Sequence, residues 1–90
     1  MNTMLTVDET VECTSCFIRR FFGFTAGEQT LAFTRRAAES GLTIAEFIAA
    51  VKTAAMIGRD STPEELVEAF RWECRAAWKR MRNENNPGSR

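Results

Sequence analysis

The sequence predicts a mainly α-helical fold, a small domain of three to four helices, from three observations. At 90 residues the chain has the size of one domain. Three segments begin with a Thr-x-x-Glu pattern that is typical of helix starts, and apolar residues recur at helical spacing behind each one. Apolar residues make up 44% of the chain, which is enough for a core. We therefore expect a single helical domain over 1–90, with 1–7 and 84–90 frayed.

The first 24 residues leave two structures open. A helix fits from about Asp8, and we favour a helix for 8–16. The segment CFIRRFFGF (16–24) also fits a short strand, because it is rich in aromatic and β-branched residues and the turn residue Gly23 would end the strand. Residues 17–24 are therefore either helix or a short N-terminal strand that pairs across a homodimer.

Three helices follow, and each has its own start and stop. Thr25, Thr43 and Thr62 are each followed three residues later by Glu, and Pro63 suits a first helical position. Gly41 and the later Gly58 stand where C-terminal stops belong. The predicted helices span 26–40, 44–57 and 63–83. Their apolar faces are Leu31, Phe33, Ala37 and Ala38, then Ile44, Phe47, Ile48, Val51 and Ala55, then Leu66, Phe70, Cys74, Ala77 and Met81.

Charge and hydropathy argue against a non-specific nucleic-acid binder, a membrane-spanning protein and a secreted protein. Twelve basic and twelve acidic residues give a net charge of +0, which argues against non-specific nucleic-acid binding as the whole function but allows a local basic patch. No apolar run is long enough to span a bilayer, and the acidic N-terminal segment lacks the pattern of a secretory signal. We expect a cytoplasmic protein that does not contact a membrane. The odd number of cysteines, three, fits a reducing compartment.

The Cys-x-x-Cys pair formed by Cys13 and Cys16 raises the question of a metal or redox site. A structural zinc site needs four ligands, usually Cys and His, and the chain has no His. Two such pairs meeting across a dimer axis would supply four thiolates, so this alternative stays open. A thioredoxin-type pair would need a βαβ unit, which the pattern does not predict. We expect no metal, and we expect these cysteines to act as small buried apolar residues.

Residues with catalytic potential do not form a recognisable set. The chain has no His and no Tyr, its serines lack an evident base partner, and it has no Gly-rich phosphate loop. We therefore expect a protein that is not an enzyme, that has no cofactor or small-molecule substrate, and that works by binding.

Residues 25–52, TAGEQTLAFTRRAAESGLTIAEFIAAVK, resemble the two helices of the ribbon-helix-helix family of dimeric DNA-binding regulators and plasmid mobilisation accessory proteins. The matching features are Thr-x-x-Glu at the first helix, Ala37 four residues before Gly41, and the Leu-Thr pair that follows. The resemblance implies a strand before Thr25 that would enter the major groove with Arg19 and Arg20, while the amides beside Thr43 would hold a phosphate. A C-cap glycine followed by an N-cap threonine is also a common helical hairpin.

The last helix carries a second candidate surface. Its basic side chains recur at i, i+4, i+8 and i+11, and Trp72 lies off the apolar face beside them. An exposed Trp among cations is typical of nucleic-acid stacking or of an interface hot spot. The alternative is a solvated face whose charge complements the helix dipole. The predicted partner-binding residues are Arg71, Trp72, Arg75, Lys79 and Arg82.

We expect a homodimer, and two functions in different classes remain. The first is a ribbon-helix-helix DNA-binding regulator that uses Arg19, Arg20 and Thr43. The second is a protein inhibitor or anti-activator, of the small kind that mobile elements encode, which docks onto a larger host protein or nucleoprotein complex.

Overall fold

The computed structural model describes residues 5–57 and 60–84, and within these ranges it contains four α-helices and no strand. The helices are α1 (Val7–Phe22), α2 (Glu28–Glu39), α3 (Ile44–Ile57) and α4 (Pro63–Glu84). The prediction of a mainly α-helical fold is confirmed, and the last three helices lie within two residues of their predicted bounds. The expectations for 1–4, for the stop at Gly58 and for 85–90 fall outside the described residues.

Helix α1 is continuous, so the strand considered for 17–24 is absent from this segment. The helix starts with a capping box that the sequence analysis missed: Thr6 Oγ1 accepts from the Glu9 amide at 3.1 Å, and Glu9 Oε1 accepts from the Thr6 amide at 2.9 Å. It ends at Gly23, whose φ of 87° is left-handed and whose amide donates to the Arg19 carbonyl at 3.0 Å. Capping at both ends of the helix outweighs the strand preference of the aromatic residues, and the helix starts at Val7, one residue before the predicted Asp8.

Of the three later helices, α3 and α4 start with the predicted threonine cap and α2 does not. Thr62 and Glu65 form a reciprocal capping box at α4, with distances of 2.9 and 3.2 Å. Thr43 Oγ1 accepts from the Glu46 amide at α3. At α2 the predicted start is wrong, because the N-cap is Gly27 and makes no side-chain cap. Without a side-chain cap, the start of α2 depends on packing against its neighbours.

The four helices form two antiparallel hairpins that pack side by side. An ion pair of 2.7 Å joins Asp8 at the start of α1 to Arg35 near the end of α2, and one of 3.8 Å joins Glu46 at the start of α3 to Arg80 near the end of α4. Across the hairpins α1 packs against α3, and α2 lies beside α4. The ion pairs are solvent-exposed, so they report the helix directions but add little stability.

Aromatic residues from three helices form the centre of the core. Phe47 and Phe70 are fully buried with their ring centroids 6.4 Å apart, and Phe33 contacts Phe70 edge-on at 6.1 Å. Burying each such side chain stabilises the fold by roughly 1.5–3 kcal/mol. Four residues of the predicted stripe on α4 (Leu66, Phe70, Cys74 and Ala77) are buried, and the fifth, Met81, is half-buried against the core.

Helices α1 and α2 direct threonines, rather than only apolar residues, into the interior. Thr10, Thr14, Thr30 and Thr34 are at most 6% exposed, and we call them the interior threonines. The predicted apolar face of α2 (Leu31, Phe33, Ala37 and Ala38) is only half-buried. Thr34 Oγ1 donates to the Thr30 carbonyl at 2.8 Å, whereas the buried Thr14 hydroxyl has no hydrogen-bond partner among the described residues. The interior side of these two helices is therefore partly polar.

Candidate partner-binding groove

Helices α2 and α4 run in the same direction and leave an open groove between them. Their early residues face each other at Gln29 and Glu68, and their late residues do so at Ser40 and Trp78. The two helices pack together much less closely than α1 with α2 or α3 with α4. We call this surface the α2–α4 groove; its lining includes Gln29, Phe33, Arg36 and Ser40 of α2, and Glu68, Arg71, Cys74, Arg75 and Trp78 of α4.

Phe33 organises the middle of the groove. One edge of the ring is held against the core by Phe70. The guanidinium carbons of Arg71 and Arg75 lie 5.8 and 5.7 Å from the Phe33 ring centroid. This distance is within the range of cation–π attraction, so the ring holds two positive charges in one place. Arg36, on the next turn of α2, lines the same part of the groove.

The groove arginines have no carboxylate partner within residues 5–57 and 60–84. The ion pairs of this part of the chain lie elsewhere on the surface. Arg71 is half-buried, and its Nε atom is shielded from solvent without a hydrogen-bond partner there. A buried donor without an acceptor is unfavourable by about 1–3 kcal/mol. The positive charge of the groove arginines therefore favours an anion, and the Arg71 Nε–H becomes available to it only if this side chain turns towards the groove.

The opposite end of the groove is acidic. Glu28 at the start of α2 and Glu64 and Glu68 at the start of α4 line it. Acidic residues at helix starts are stabilised by the helix dipole, so folding alone explains this placement. The consequence for binding is a groove that changes from negative to positive along its length, because the arginines follow one to two turns later.

The predicted partner-binding residues of α4 divide into two groups. Arg71 and Arg75 lie over Phe33, and Arg82 lies 4.8 Å from the centroid of the Trp78 ring. Trp72 is 70% exposed, which confirms that it lies off the apolar face, and Lys79 is exposed as well. The arginines are thus ordered on aromatic rings that line the groove, while Trp72 and Lys79 on the same helix are exposed to solvent.

Sequence reasoning missed the contribution of α2 to this surface. Phe33 was assigned only to the apolar face, and neither Arg36 nor Gln29 was assigned to a site. Gln29, Phe33 and Arg36 follow one another at i, i+4 and i+7, which places them on one helix face. That spacing was a usable signal, but only the fold shows that this face lies beside Arg71 and Arg75.

The residues predicted to contact DNA are not brought together. Arg19 and Arg20 are exposed in the last turns of α1, and Thr43 caps the start of α3. Helices α1 and α3 run in parallel, since Phe21 lies beside Ala55 near the end of α3. Twelve residues of helix separate Thr43 from Ala55, which is about 18 Å. The assignment of these three residues to DNA stays a prediction, and they do not form one surface in a single chain.

The three cysteines are free thiols in different environments. Cys74 is buried at the floor of the groove, Cys13 is half-buried and Cys16 is exposed, contrary to the expectation that the pair would be buried. Burial, assisted by the nearby negative charge of Glu73, raises the pKa of the Cys74 thiol to about 12. Among the described residues no group of three or more His, Cys, Asp or Glu side chains is arranged to hold a metal ion.

A second exposed surface lies where α1 and α3 end. Phe21, Met56 and Ile57 are 42%, 80% and 69% exposed, and we call them the end patch. Phe21 also stacks on Phe17 with the ring centroids 5.9 Å apart. Contiguous exposed apolar side chains of this kind mark an interaction surface more often than an isolated exposed residue does.

Comparison of the chain with protein-family models, with curated proteins and with solved structures found no match. Over the described ranges, none of the helices combines the length and the apolarity needed to cross a membrane. The functional interpretation therefore depends on the geometry and chemistry of the groove.

Proposed function

We propose that this is a small binding protein that docks onto a larger protein through the α2–α4 groove and the adjoining Trp72. The observation that carries the proposal is the combination of a 70% exposed Trp72 with groove arginines that are ordered on aromatic rings but have no ion pair in the described chain. Such a protein acts as an inhibitor or anti-activator by covering a site on its partner, and it carries out no reaction of its own.

The side chains at this surface are those that dominate protein interfaces. Trp and Arg are the residue types most enriched among interface hot spots, because each buries a large area and makes directional contacts. Arg71 and Arg75 are already held on Phe33. Less side-chain entropy is therefore lost on binding than for freely moving arginines. The positive charge of this half of the groove favours an acidic surface on the partner.

Affinity capture from cells that naturally express the protein tests the proposal. We expect one protein to co-purify stoichiometrically with the wild type, and we expect Trp72→Ala or Arg75→Glu to abolish its recovery. Arg20→Glu makes the same charge change on the exposed surface of α1 and serves as the matched control. A partner that is retained by both groove variants, or lost equally with the control, would show that the chosen surface is wrong.

A second candidate function is the DNA-binding regulator implied by the resemblance of 25–52 to ribbon-helix-helix proteins. The cations of the groove with Trp72 and Trp78 beside them favour it, since such clusters suit nucleic-acid contacts. It requires 17–24 to leave α1 and pair as a strand between two chains. NMR chemical shifts and inter-chain NOEs in the presence of duplex DNA test this requirement. Absence of DNA binding at low salt, where phosphate contacts are strongest, would eliminate the candidate.

Self-association and location also belong to the proposal. A homodimer is supported by the small size of the domain, which limits the area that one chain can bury, and by the end patch of Phe21, Met56 and Ile57. Sedimentation equilibrium of the wild type and of Met56→Glu tests it, with a dimer expected for the first and a monomer for the second. A cytoplasmic location is supported by the three free thiols.

A further inference from the structure

We propose that the basic half of the α2–α4 groove binds a phosphoryl monoester, namely a phosphorylated Ser or Thr side chain of the partner protein. This inference rests on the proposed function and deepens it, because it names the group that the partner presents. Phosphoryl binding depends on a different part of the surface from Trp72, so phosphoryl binding and docking through Trp72 can fail separately.

The pocket has the lining of an anion site. A cavity of about 240 Å³ is lined by the guanidinium-bearing Arg36, Arg71 and Arg75, by the amide-bearing Gln29, and by the apolar Ala32 and Phe33. Guanidinium groups donate two parallel hydrogen bonds to phosphate or carboxylate oxygens, and the amide adds another donor. The apolar side chains offer a surface for the carbon atoms that carry the phosphate. No carboxylate lines this pocket.

The charge of the pocket favours a dianion over a monoanion. Arg71 and Arg75 are held on the same ring, Arg36 adds a third positive charge, and the ion pairs of the described residues involve none of the three. A phosphoryl monoester carries about −1.5 to −2 charges at neutral pH and three acceptor oxygens. A carboxylate or a nucleic-acid phosphodiester carries one charge. The monoester is therefore the ligand whose charge best matches three converging cations.

The Nε of Arg71 is a donor that the described part of the chain leaves without a partner, and it is shielded from solvent. In bidentate binding of an oxyanion, Nε–H and one terminal N–H of a guanidinium donate together. A phosphoryl oxygen reaches this Nε only when the Arg71 guanidinium turns towards the pocket. The exposed donors of Arg36 and Arg75 therefore carry the proposal, and Arg71 adds a further donor on binding.

The acidic end of the groove sets the orientation of the partner segment. Glu64 precedes Arg71 by two helical turns, which is about 10 Å. An extended segment covers this distance in about three residues. We therefore expect a basic residue about three positions from the phosphorylated one, facing Glu64 and Glu68.

NMR titration of the arginine Nε–Hε signals tests the site with a defined probe. Phenyl phosphate is added to the wild type at pH 7.5 and constant ionic strength, and benzoate and dimethyl phosphate are added in parallel. We expect saturable shifts at Arg36, Arg71 and Arg75 with phenyl phosphate and affinity weaker by about tenfold or more for both monoanions. Below about pH 6 the affinity for phenyl phosphate falls, because the dianion takes up one proton and becomes a monoanion while arginine stays charged.

Matched variants separate the site from general charge attraction. Arg36→Gln and Arg75→Gln should each weaken phenyl phosphate binding by about tenfold, and Lys52→Gln, which removes one positive charge from the exposed surface of α3, should leave it unchanged. Backbone spectra confirm that each variant is folded. Equal affinity for benzoate, tighter binding of a short oligodeoxynucleotide, absence of saturation, or equal loss with Lys52→Gln would each overturn the inference.

Measuring both phenyl phosphate binding and partner capture on these variants distinguishes a wrong phosphoryl assignment from a wrong docking surface. Trp72→Ala should lose the protein partner while it keeps phenyl phosphate binding. If phenyl phosphate does not bind but the partner is still captured through Trp72 and Arg75, docking stands and the phosphoryl group is wrong.

Discussion

The two faces of α2 differ sharply although they belong to one helix. The interior face places Thr30 and Thr34 at 5% exposure or less, and the Thr34 hydroxyl is satisfied by the Thr30 carbonyl. The groove face carries Phe33 and Arg36, which are half-buried and exposed, beside arginines of α4 that have no ion pair in the described residues. The interior face is closed and satisfied, whereas the groove face is open and charged. The first holds the fold together, and the second is the face that we propose for binding.

The largest expected difference between the interior and the groove is in how much a truncated side chain lowers the free energy of unfolding. Phe70→Ala should lower the free energy of unfolding by about 3–5 kcal/mol, because it empties the centre of the core between Phe47 and Phe33. Phe33→Ala should cost distinctly less, since Phe33 is only half-buried. Urea denaturation of the two variants measures the difference. Equal losses would place Phe33 in the core rather than in a groove.

The next effect concerns Cys74, which lies where the groove meets the interior. Its thiol pKa rises from 9.0 to about 12 on folding because of burial, so the folded state retains the proton. The stabilisation that comes from keeping this thiol protonated is complete below pH 9 and is lost as the pH rises towards 12. At pH 10.5 the loss is about 2 kcal/mol, from roughly 1.4 kcal/mol per pH unit. Urea midpoints at pH 7 and 10.5 measure it, and Cys74→Ala should show a smaller decrease over the same range. An equal decrease in both proteins would contradict the burial of this thiol.

A smaller effect distinguishes two interior threonines. Thr14→Val removes a buried hydroxyl without a hydrogen-bond partner in the described residues and keeps the side-chain shape, so it should stabilise the protein by about 1 kcal/mol. Thr34→Val removes a hydroxyl that donates to the Thr30 carbonyl at 2.8 Å, so it should give no such gain. Thermal unfolding of the two variants shows the sign of each change. A gain at Thr34 and a loss at Thr14 would reverse the account of the interior face.

The smallest expected effect is on the groove side. Arg75→Gln should change the free energy of unfolding by no more than about 0.5 kcal/mol, because Arg75 is exposed and carries no ion pair in the described chain. Chemical denaturation provides the measurement, and Arg20→Gln is the matched control. A loss of several kcal/mol at Arg75 alone would make the groove arginines part of the folding framework.

Much of the fold was predictable because the helix boundaries are set by local chemistry. The capping box at Thr62, the threonine cap at Thr43 and the periodic apolar residues gave α3 and α4 with accurate bounds. The end of α1 was not predictable from propensity, since CFIRRFFGF suits a strand. The capping box of Thr6 with Glu9 was the available local signal.

The candidate groove was predictable only on one side. The basic residues of α4 and the exposure of Trp72 followed from helical spacing. The pairing of Phe33 and Arg36 with Arg71 and Arg75 depends on which helices become neighbours, and that is a property of the packed bundle. Threonines in the interior of α1 and α2 were missed because hydrophobic periodicity does not count them.

Site-specific photo-cross-linking in the natural host tests most directly whether the groove side of the molecule is the binding side. A photoreactive phenylalanine analogue replaces Lys79, which is exposed on α4 near Arg75, or, as a control, Glu12 on the exposed surface of α1; Trp72 is kept in both proteins. We expect one dominant protein adduct from position 79 that disappears when Arg75→Glu is added, and no adduct from position 12. Adducts from position 12 alone, or adducts from position 79 that persist with Arg75→Glu, would contradict the assignment of the groove side as the binding side.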